Sequence, residues 1–217
     1  HLDHYGDLGK IDDAFCALKV VARQWDRRAG AGVDGGGCGC EAVVASLKVY
    51  ELRCGAHVAV LARWVGDAVD PAVGIMVRAT TGDRVSTSDD GLTQRFEARN
   101  VRDFTVTAAP DFKSRSAKVG DTTIRYYYRS AANAQATLDA AVSAFRKLQD
   151  RLGDYPYPTF KVVQSAGGYG MESPRLIWVP YGVGSANLRY LVAHETAHQW
   201  FYGLVGNDQA RQPFADE

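Results

Sequence analysis

Apolar residues at helical spacing predict a helix over residues 133–152. The apolar positions follow one another at i, i+4, i+7, i+10 and i+14, which places them on one helix face, and they are Leu138, Val142, Phe145, Leu148 and Leu152. Gly153 follows directly and suits a C-cap, because glycine adopts the left-handed conformation at little cost. We therefore expect a helix with one buried face here.

Between residues 92 and 129 the pattern changes to that of β-strands. Three segments are rich in β-branched and aromatic residues and are separated by turn residues: Leu92–Ala98, Phe104–Thr107 and Thr122–Arg129. After the predicted helix, short apolar runs at 160–164 and 176–179 predict buried strands on either side of a glycine-rich loop. The expected fold class is α+β, with a β-rich amino-terminal part.

A second helix is predicted over Ser185–Val205. Ser185 suits an N-cap, no proline or glycine interrupts the segment before Gly203, and apolar contacts come from Leu188, Leu191, Val192 and Phe201. Gly206-Asn207-Asp208 would end this helix, and Pro213 would begin the next one.

The first 80 residues are harder to interpret. Apolar residues at helical spacing favour a helix near the start of the chain, and they are Ile11, Phe15, Leu18, Ala22 and Trp25. Residues 30–40 are rich in glycine and predict a flexible loop. Two hypotheses stay open for this segment: a divergent domain, or sequence from a shifted reading frame joined to an enzyme.

All four cysteines lie in the first quarter of the chain, at positions 16, 38, 40 and 54. The segment Cys38-Gly39-Cys40, together with Cys54 and His57, could form a zinc site. However, C-x-C is not the usual C-x-x-C spacing of zinc ligands. Disulfide pairing is a further possibility whose connectivity the sequence does not give. Scattered free cysteines are the preferred interpretation.

Composition narrows the classes of function. Lysine plus arginine and aspartate plus glutamate both number 25, so the formal net charge is zero and no long-range attraction for nucleic acid is expected. The 46% of hydrophobic residues favours a globular core. No apolar run approaches the ~18 residues of a transmembrane helix. The cellular compartment stays open.

The segment His194-Glu195-Thr196-Ala197-His198 carries the clearest chemistry of the chain. On a helix, residues at i and i+4 share a face with Cβ atoms ~5–6 Å apart, so two imidazoles at this spacing can share one zinc ion. Glu195 lies between them in the sequence and can act as a base on a water molecule bound to that metal. Glu217 lies 217 − 198 = 19 residues after the second histidine, and a third protein ligand would leave the fourth position open for catalysis.

Two motifs in order resemble one known family. His194-Glu195-Thr196-Ala197-His198-Gln199-Trp200-Phe201, with Gly203-Leu204-Val205 and Asp216-Glu217 after it, resembles the gluzincin aminopeptidases, the membrane alanyl aminopeptidase family. Upstream, Gly167-Gly168-Tyr169-Gly170-Met171-Glu172-Ser173 is similar to that family's G-x-M-E-N loop, which lies along the substrate. The resemblance covers about residues 80–217.

The resemblance implies a role for each matching residue. One zinc ion would be held by His194, His198 and Glu217, with Glu195 as the general base. Glu172 would hold the α-ammonium group of a peptide with a free amino terminus. The backbone of the loop would bind that peptide in an extended form through Gly168, Tyr169, Gly170 and Met171. The implied activity is zinc-dependent release of amino-terminal residues from peptides.

The resemblance also implies a domain division. Residues 1–80 are unrecognised, residues 81–130 would end a β-rich amino-terminal domain, and residues 131–217 would form the first half of a thermolysin-like catalytic domain. The boundary is expected near Ser130.

The sequence departs from the family at two places. Ser173 and Pro174 follow Glu172 where the family usually has asparagine, so the shape of the first subsite does not carry over. Glu217 is the last residue, and the family's transition-state tyrosine would lie beyond it. We therefore expect a fragment of an enzyme that is a poor catalyst by itself. A non-catalytic peptide-binding or structural fragment is the alternative. A third interpretation is the hydrolysis of a lipid epoxide, known in a branch of this family, but no residue selects it.

Overall fold

The computed structural model contains thirteen strands and two helices among the residues it describes. These are residues 16–21, 39–44, 47–54, 57–64, 77–108, 112–165, 170–208, 211–212 and 214, the first four ranges by backbone alone. The strands before the first helix are β1 Cys16–Val21, β2 Gly39–Val44, β3 Leu47–Cys54, β4 His57–Trp64, β5 Val77–Thr80, β6 Asp83–Thr87, β7 Thr93–Arg99, β8 Asp103–Ala108, β9 Lys113–Val119 and β10 Thr122–Tyr128. The remaining elements are α1 Ala134–Leu152, β11 Thr159–Ser165, β12 Met171–Ser173, β13 Leu176–Pro180 and α2 Ser185–Ala197.

These strands form three sheets. A three-stranded sheet has the order β1-β8-β5, and a five-stranded antiparallel sheet has the order β2-β3-β4-β7-β6. The third sheet has the order β12-β13-β11-β10-β9, in which β11 is parallel to both of its neighbours. Within the described part of the chain, its short strand β12 pairs with β13 and forms one edge of the sheet.

Helix α1 and the third sheet share an aromatic core around Phe145. This ring is fully buried and lies 5.0 Å from Tyr155, 5.6 Å from Phe160 and 5.3 Å from Trp200, measured between ring centroids. Offset and edge-to-face pairs at such distances stabilise a core beyond the burial of their area. Because Trp200 follows closely after α2, the core fixes the end of that helix against α1 and β11.

The structure confirms the first predicted helix and corrects the second. Helix α1 covers the predicted range and ends at Gly153, whose amide donates to the carbonyl of Gln149. Helix α2 was expected to run to Val205, but it ends at Ala197 and continues as turns. Ser185 is its first helical residue rather than its N-cap, which is Gly184.

The predicted strands are present, with bounds shifted by at most one residue, as β7, β8, β10, β11 and β13. Strand β9 was not predicted because its side chains are mostly exposed and polar, as is common for an edge strand. The helix predicted near the start of the chain is wrong for residues 16–21, because these residues form strand β1, which pairs antiparallel with β8. The glycine-rich loop predicted over 30–40 lies outside the described residues, except for Gly39 and Cys40 in β2.

The third sheet crosses the position at which a domain boundary was expected. Strands β9 and β10 precede Ser130, yet β10 pairs in parallel with β11 from Thr123–Thr159 to Tyr127–Val163. The division into domains itself stays a prediction. Among the described residues, neither helix combines the length and the apolar character needed to cross a membrane.

Candidate metal and peptide site

Two histidine side chains converge at the end of α2. His194 lies in the last turn of the helix, and His198 is its C-cap with helical backbone angles, so the i and i+4 spacing is retained. Their Nε2 atoms lie 3.2 Å apart. Two nitrogen atoms bound to one zinc ion at 2.0–2.1 Å, with an angle near that of a tetrahedron, are separated by a little over ~3 Å. The imidazole pair therefore fits a shared zinc ion.

The other nitrogen of His198 supports this arrangement. Its Nδ1 atom lies 3.3 Å from the backbone carbonyl oxygen of Phe201, which accepts when Nδ1 carries the proton. A proton on Nδ1 leaves the Nε2 lone pair available, as in metal sites where the second ring nitrogen donates to a carbonyl. The ring of His198 is buried and lies edge-on to Tyr202, with 6.5 Å between centroids. This environment holds the imidazole in one orientation.

The first histidine is more open than the second. His194 is half-buried, and the exposed ring of Tyr190, one turn earlier on α2, stacks on it at 6.1 Å with an interplanar angle of 18°. Stacking of this kind restricts the imidazole without closing access from solvent. The site thus has one enclosed side and one open side.

Two carboxylates lie beside the histidine pair. Ligand atoms of Glu172, Glu195 and His198 all lie within 4.8 Å of one another. Glu195 comes from α2 and is buried, while Glu172 comes from β12 and is half-buried. This group contains a histidine nitrogen and carboxylate oxygens, which are ligand types that zinc accepts in proteins.

The backbone of Gly170 lies directly against Glu195. A Cβ atom added to Gly170 would come within 2.6 Å of the Glu195 Cδ atom, so the space next to this backbone is filled by the carboxylate. The following residues, Met171 and Glu172, belong to the edge strand β12. Of the predicted substrate-binding residues, Gly170, Met171 and Glu172 are thus brought to the metal helix. Gly168 and Tyr169 lie outside the described residues, and so does the predicted third ligand Glu217.

A buried glutamine joins the loop to the metal helix. The Nε2 atom of Gln199 donates to the Ser173 carbonyl at 3.0 Å, and its Oε1 atom accepts from the Arg175 amide at 2.7 Å and from the Tyr155 hydroxyl at 2.9 Å. Burial raises the pKa of the Tyr155 hydroxyl well above its usual value, so this donor stays protonated at neutral pH. The sequence motif contains Gln199, but the sequence alone assigns this residue no role. Its position directly after the second histidine was the available signal.

The elements described above form a mixed α+β, strand-rich fold that resembles part of an M1 zinc metallopeptidase. No protein-family model and no curated protein matches the chain. Among solved structures, it is similar to the M1 zinc metallopeptidase of Deinococcus radiodurans bound to a Tyr-Ser-Ala substrate, with a TM-score of 0.52 and 21% identity over 67% of this chain and 36% of that one. At this identity the likeness shows the fold.

Two other similar structures have lower TM-scores. A second structure of the Deinococcus radiodurans enzyme gives 0.46 with 25% identity, covering 59% of this chain and 32% of that one. An aminopeptidase N family protein from Idiomarina loihiensis gives 0.40 with 16% identity, covering 57% of this chain and 24% of that one. This chain therefore spans about a third or less of the length of these proteins.

Proposed function

We propose that this chain carries the metal and substrate site of a zinc-dependent aminopeptidase. The observation that supports it most is the 3.2 Å separation of the His194 and His198 Nε2 atoms beside a buried Glu195. Two unprotonated nitrogen atoms repel one another at this distance, so a bound cation or a proton between them is required. His194 and His198 would hold the zinc ion, and Glu217 is proposed as the third ligand.

Glu195 is proposed as the general base. Zinc, when bound, lowers the pKa of a water molecule to about 7 and polarises a substrate carbonyl. The Glu195 carboxylate, within 4.8 Å of the nearest His198 ligand atom, would accept a proton from that water and pass it to the departing amine. Its burial next to Gly170 excludes bulk water from one side of the carboxylate.

The edge strand β12 is proposed as the place where a peptide binds. Strand β12 pairs with β13 on one side, and as the edge strand of its sheet it can accept an extended peptide on the other side by strand addition. Glu172 in this strand would pair with the α-ammonium group of the first residue, through a charge-assisted hydrogen bond. A carboxylate at this position favours an exopeptidase over an endopeptidase, because internal bonds have no free amine to hold.

An incomplete site that binds peptides without cleaving them is the second candidate. Apolar side chains that follow α2 are exposed, and they are Phe201, Leu204, Val205 and Phe214. The chain also spans about a third of the length of the Deinococcus radiodurans enzyme. A site that needs further protein surface for catalysis would show zinc and peptide binding with no turnover.

Zinc titration combined with a peptidase assay tests the proposal. We expect one zinc ion per chain, loss of zinc binding in His198→Ala, and retained zinc with at least a ~100-fold lower hydrolysis rate in Glu195→Gln. Glu97→Gln on β7 is the matched control and should retain both properties. Zinc binding by the His198→Ala variant would refute the metal site, and zinc binding without hydrolysis in the wild type would favour the second candidate.

A pair of peptides tests the role of Glu172. Glu172→Ala should weaken cleavage of a peptide with a free amino terminus and leave the low wild-type rate on the amino-terminally acetylated form unchanged, because only the former offers a cation to the carboxylate. Equal cleavage of the two peptides by the wild-type protein would refute the exopeptidase assignment while leaving a zinc peptidase in place.

A further inference from the structure

A buried polar cluster lies beneath the strand that carries Glu172. It consists of Thr81, Asp103, Thr105 and Ser173, each with at most 2% of its surface exposed. Ser173 comes from β12, and its three partners come from the strand β8 and the turn before β6. The cluster therefore joins the peptide-binding edge to a different sheet of the molecule.

The Ser173 hydroxyl group uses its hydrogen-bonding capacity within this cluster. It donates to the Asp103 Oδ1 atom at 2.7 Å and accepts from the Thr105 hydroxyl at 2.7 Å. The Thr81 hydroxyl lies 3.4 Å away and itself accepts from the Thr105 amide at 2.9 Å. A hydroxyl that donates to a buried carboxylate makes a stronger bond than one between neutral groups.

The main chain of Ser173 is fixed separately. Its carbonyl accepts from Gln199, the residue after His198, and its strand register pairs Ser173 with Leu176 and Glu172 with Ile177. Side chains alternate between the two faces of a strand. The Ser173 hydroxyl points into the polar cluster on one face of β12. It thus helps to direct the side chain of its neighbour, Glu172, to the opposite face of the strand.

We propose that Ser173, held by Asp103, is a positioning residue that fixes the Glu172 carboxylate for the amino group of a peptide. This inference rests on the proposed aminopeptidase function. Ser173 is one of only three residues of β12, and its hydroxyl ties this short strand to Asp103 on β8. Loss of the hydroxyl would let the strand rotate and would leave the buried Asp103 carboxylate without this donor. Ser173 would act through Glu172 and would not touch the substrate.

The experiment compares peptide binding by the zinc-loaded full chain in the wild type, two single variants and one double variant. Calorimetry measures the affinity for an alanine tripeptide with a free amino terminus and for its acetylated form. Ser173→Ala should lower the ratio of the two affinities about tenfold, as expected for one charge-assisted hydrogen bond that is no longer aligned, while zinc affinity is retained. Thr122→Val removes another buried hydroxyl from the same sheet, whose partner is the Tyr157 carbonyl, and should leave the ratio unchanged.

A double variant separates positioning from general destabilisation. Combining Ser173→Ala with Asp103→Asn should lower the ratio no further than Ser173→Ala alone, because both changes act on one hydrogen bond. An unchanged ratio in Ser173→Ala, or an equal fall in Thr122→Val, would overturn the proposal. If the wild-type chain does not distinguish the two peptides, the aminopeptidase function fails first, which is a different result.

Discussion

The Glu195 carboxylate occupies the space in which a side chain at position 170 would lie. Gly170 and Glu195 are 25 residues apart in the sequence, but the Gly170 backbone contacts the Glu195 side chain along its last two carbon atoms. Glycine is required here for the close approach and not for its backbone conformation, since its φ is not positive. The proposed base is thus held by the proposed substrate loop.

Gly170→Ala should therefore reduce catalysis more than stability. The added methyl group would push the Glu195 carboxylate away from His198, and misplacement of a base by about 1 Å can cost roughly 100-fold in rate. Zinc affinity should fall less than about threefold, because the three atoms nearest the added Cβ atom all belong to Glu195 and none to the proposed histidine ligands. Steady-state hydrolysis and zinc titration measure the two effects.

Gly206→Ala is the matched control for this substitution. Its added Cβ atom would lie 3.9 Å from the nearest atom, the Nη1 of Arg102, which is an ordinary contact. The control should retain the wild-type rate. An unchanged hydrolysis rate in Gly170→Ala would contradict the idea that the contact with Gly170 positions the Glu195 carboxylate for catalysis.

At the scale of elements, α2 ends at Ala197, directly before the second histidine of the proposed metal site. The amides of Gln199 and Trp200 donate to the carbonyls of Thr196 and Ala197 three residues earlier, which tightens the last turn. Tyr202 then has a φ of 112°, a conformation that side chains rarely adopt. The guanidinium of Arg102 lies 4.3 Å from the centre of its ring and also donates to its carbonyl. Contacts to the Tyr202 side chain thus offset a strained backbone.

This strain predicts an unusual order of stability at position 202. Both Tyr202→Ala and Tyr202→Gly lose a buried ring, but only glycine relieves the positive φ, which costs on the order of 1–3 kcal/mol for other residues. The glycine variant should therefore be more stable than the alanine variant by about 1 kcal/mol in urea unfolding. At Leu204, which has no positive φ, alanine should be more stable than glycine. The same order at both positions would contradict the assignment of strain.

Sequence patterns predicted the elements whose apolar residues follow a clear period, and they missed several elements that depend on pairing or contacts at long range. The spacing of His194 and His198 predicted their convergence, because four residues make one helical turn. The end of α2 at Ala197 was not predicted, since no glycine or proline occurs between that residue and Gly203. Strand β1 was missed because pairing with β8, more than 80 residues later, outweighs the local helical spacing. The link from Ser173 to Asp103 likewise needs the folded chain.

At the scale of the whole molecule, two buried cations join the third sheet to the strands that precede it. Lys161 on β11 donates from Nζ to the carbonyls of Thr80 and Gly82 at 2.7 and 2.6 Å. Arg175 donates to the Asp83 carboxylate and to the Thr159 hydroxyl, both at 2.7 Å. The segment 80–83 connects β5 with β6, so these bonds meet at the junction of all three sheets. The protonation of Lys161 therefore bears on the stability of the whole fold.

Burial, followed by the positive charge of Arg175, lowers the pKa of Lys161 to about 7, against an ordinary value of 10.5. Between these values the unfolded chain binds a proton at Lys161 that the folded chain has released, so the free energy of unfolding rises with pH. The rise should begin near pH 7, with a slope of up to roughly 1 kcal/mol per pH unit. Urea unfolding between pH 6 and 9.5 measures it; above that range the buried tyrosines, whose pKa values are raised, act in the opposite direction.

Lys161→Met should flatten this dependence, since methionine fills a similar volume and does not titrate. Lys118→Met on the exposed edge strand β9 should leave the slope as in the wild type, because that side chain is exposed in the folded protein. A wild-type slope in the Lys161→Met protein would place the proton release elsewhere. A flat wild-type curve would mean that the two carbonyl acceptors and Asp83 keep the buried ammonium group charged, so that the junction is held by a cation at all of these pH values.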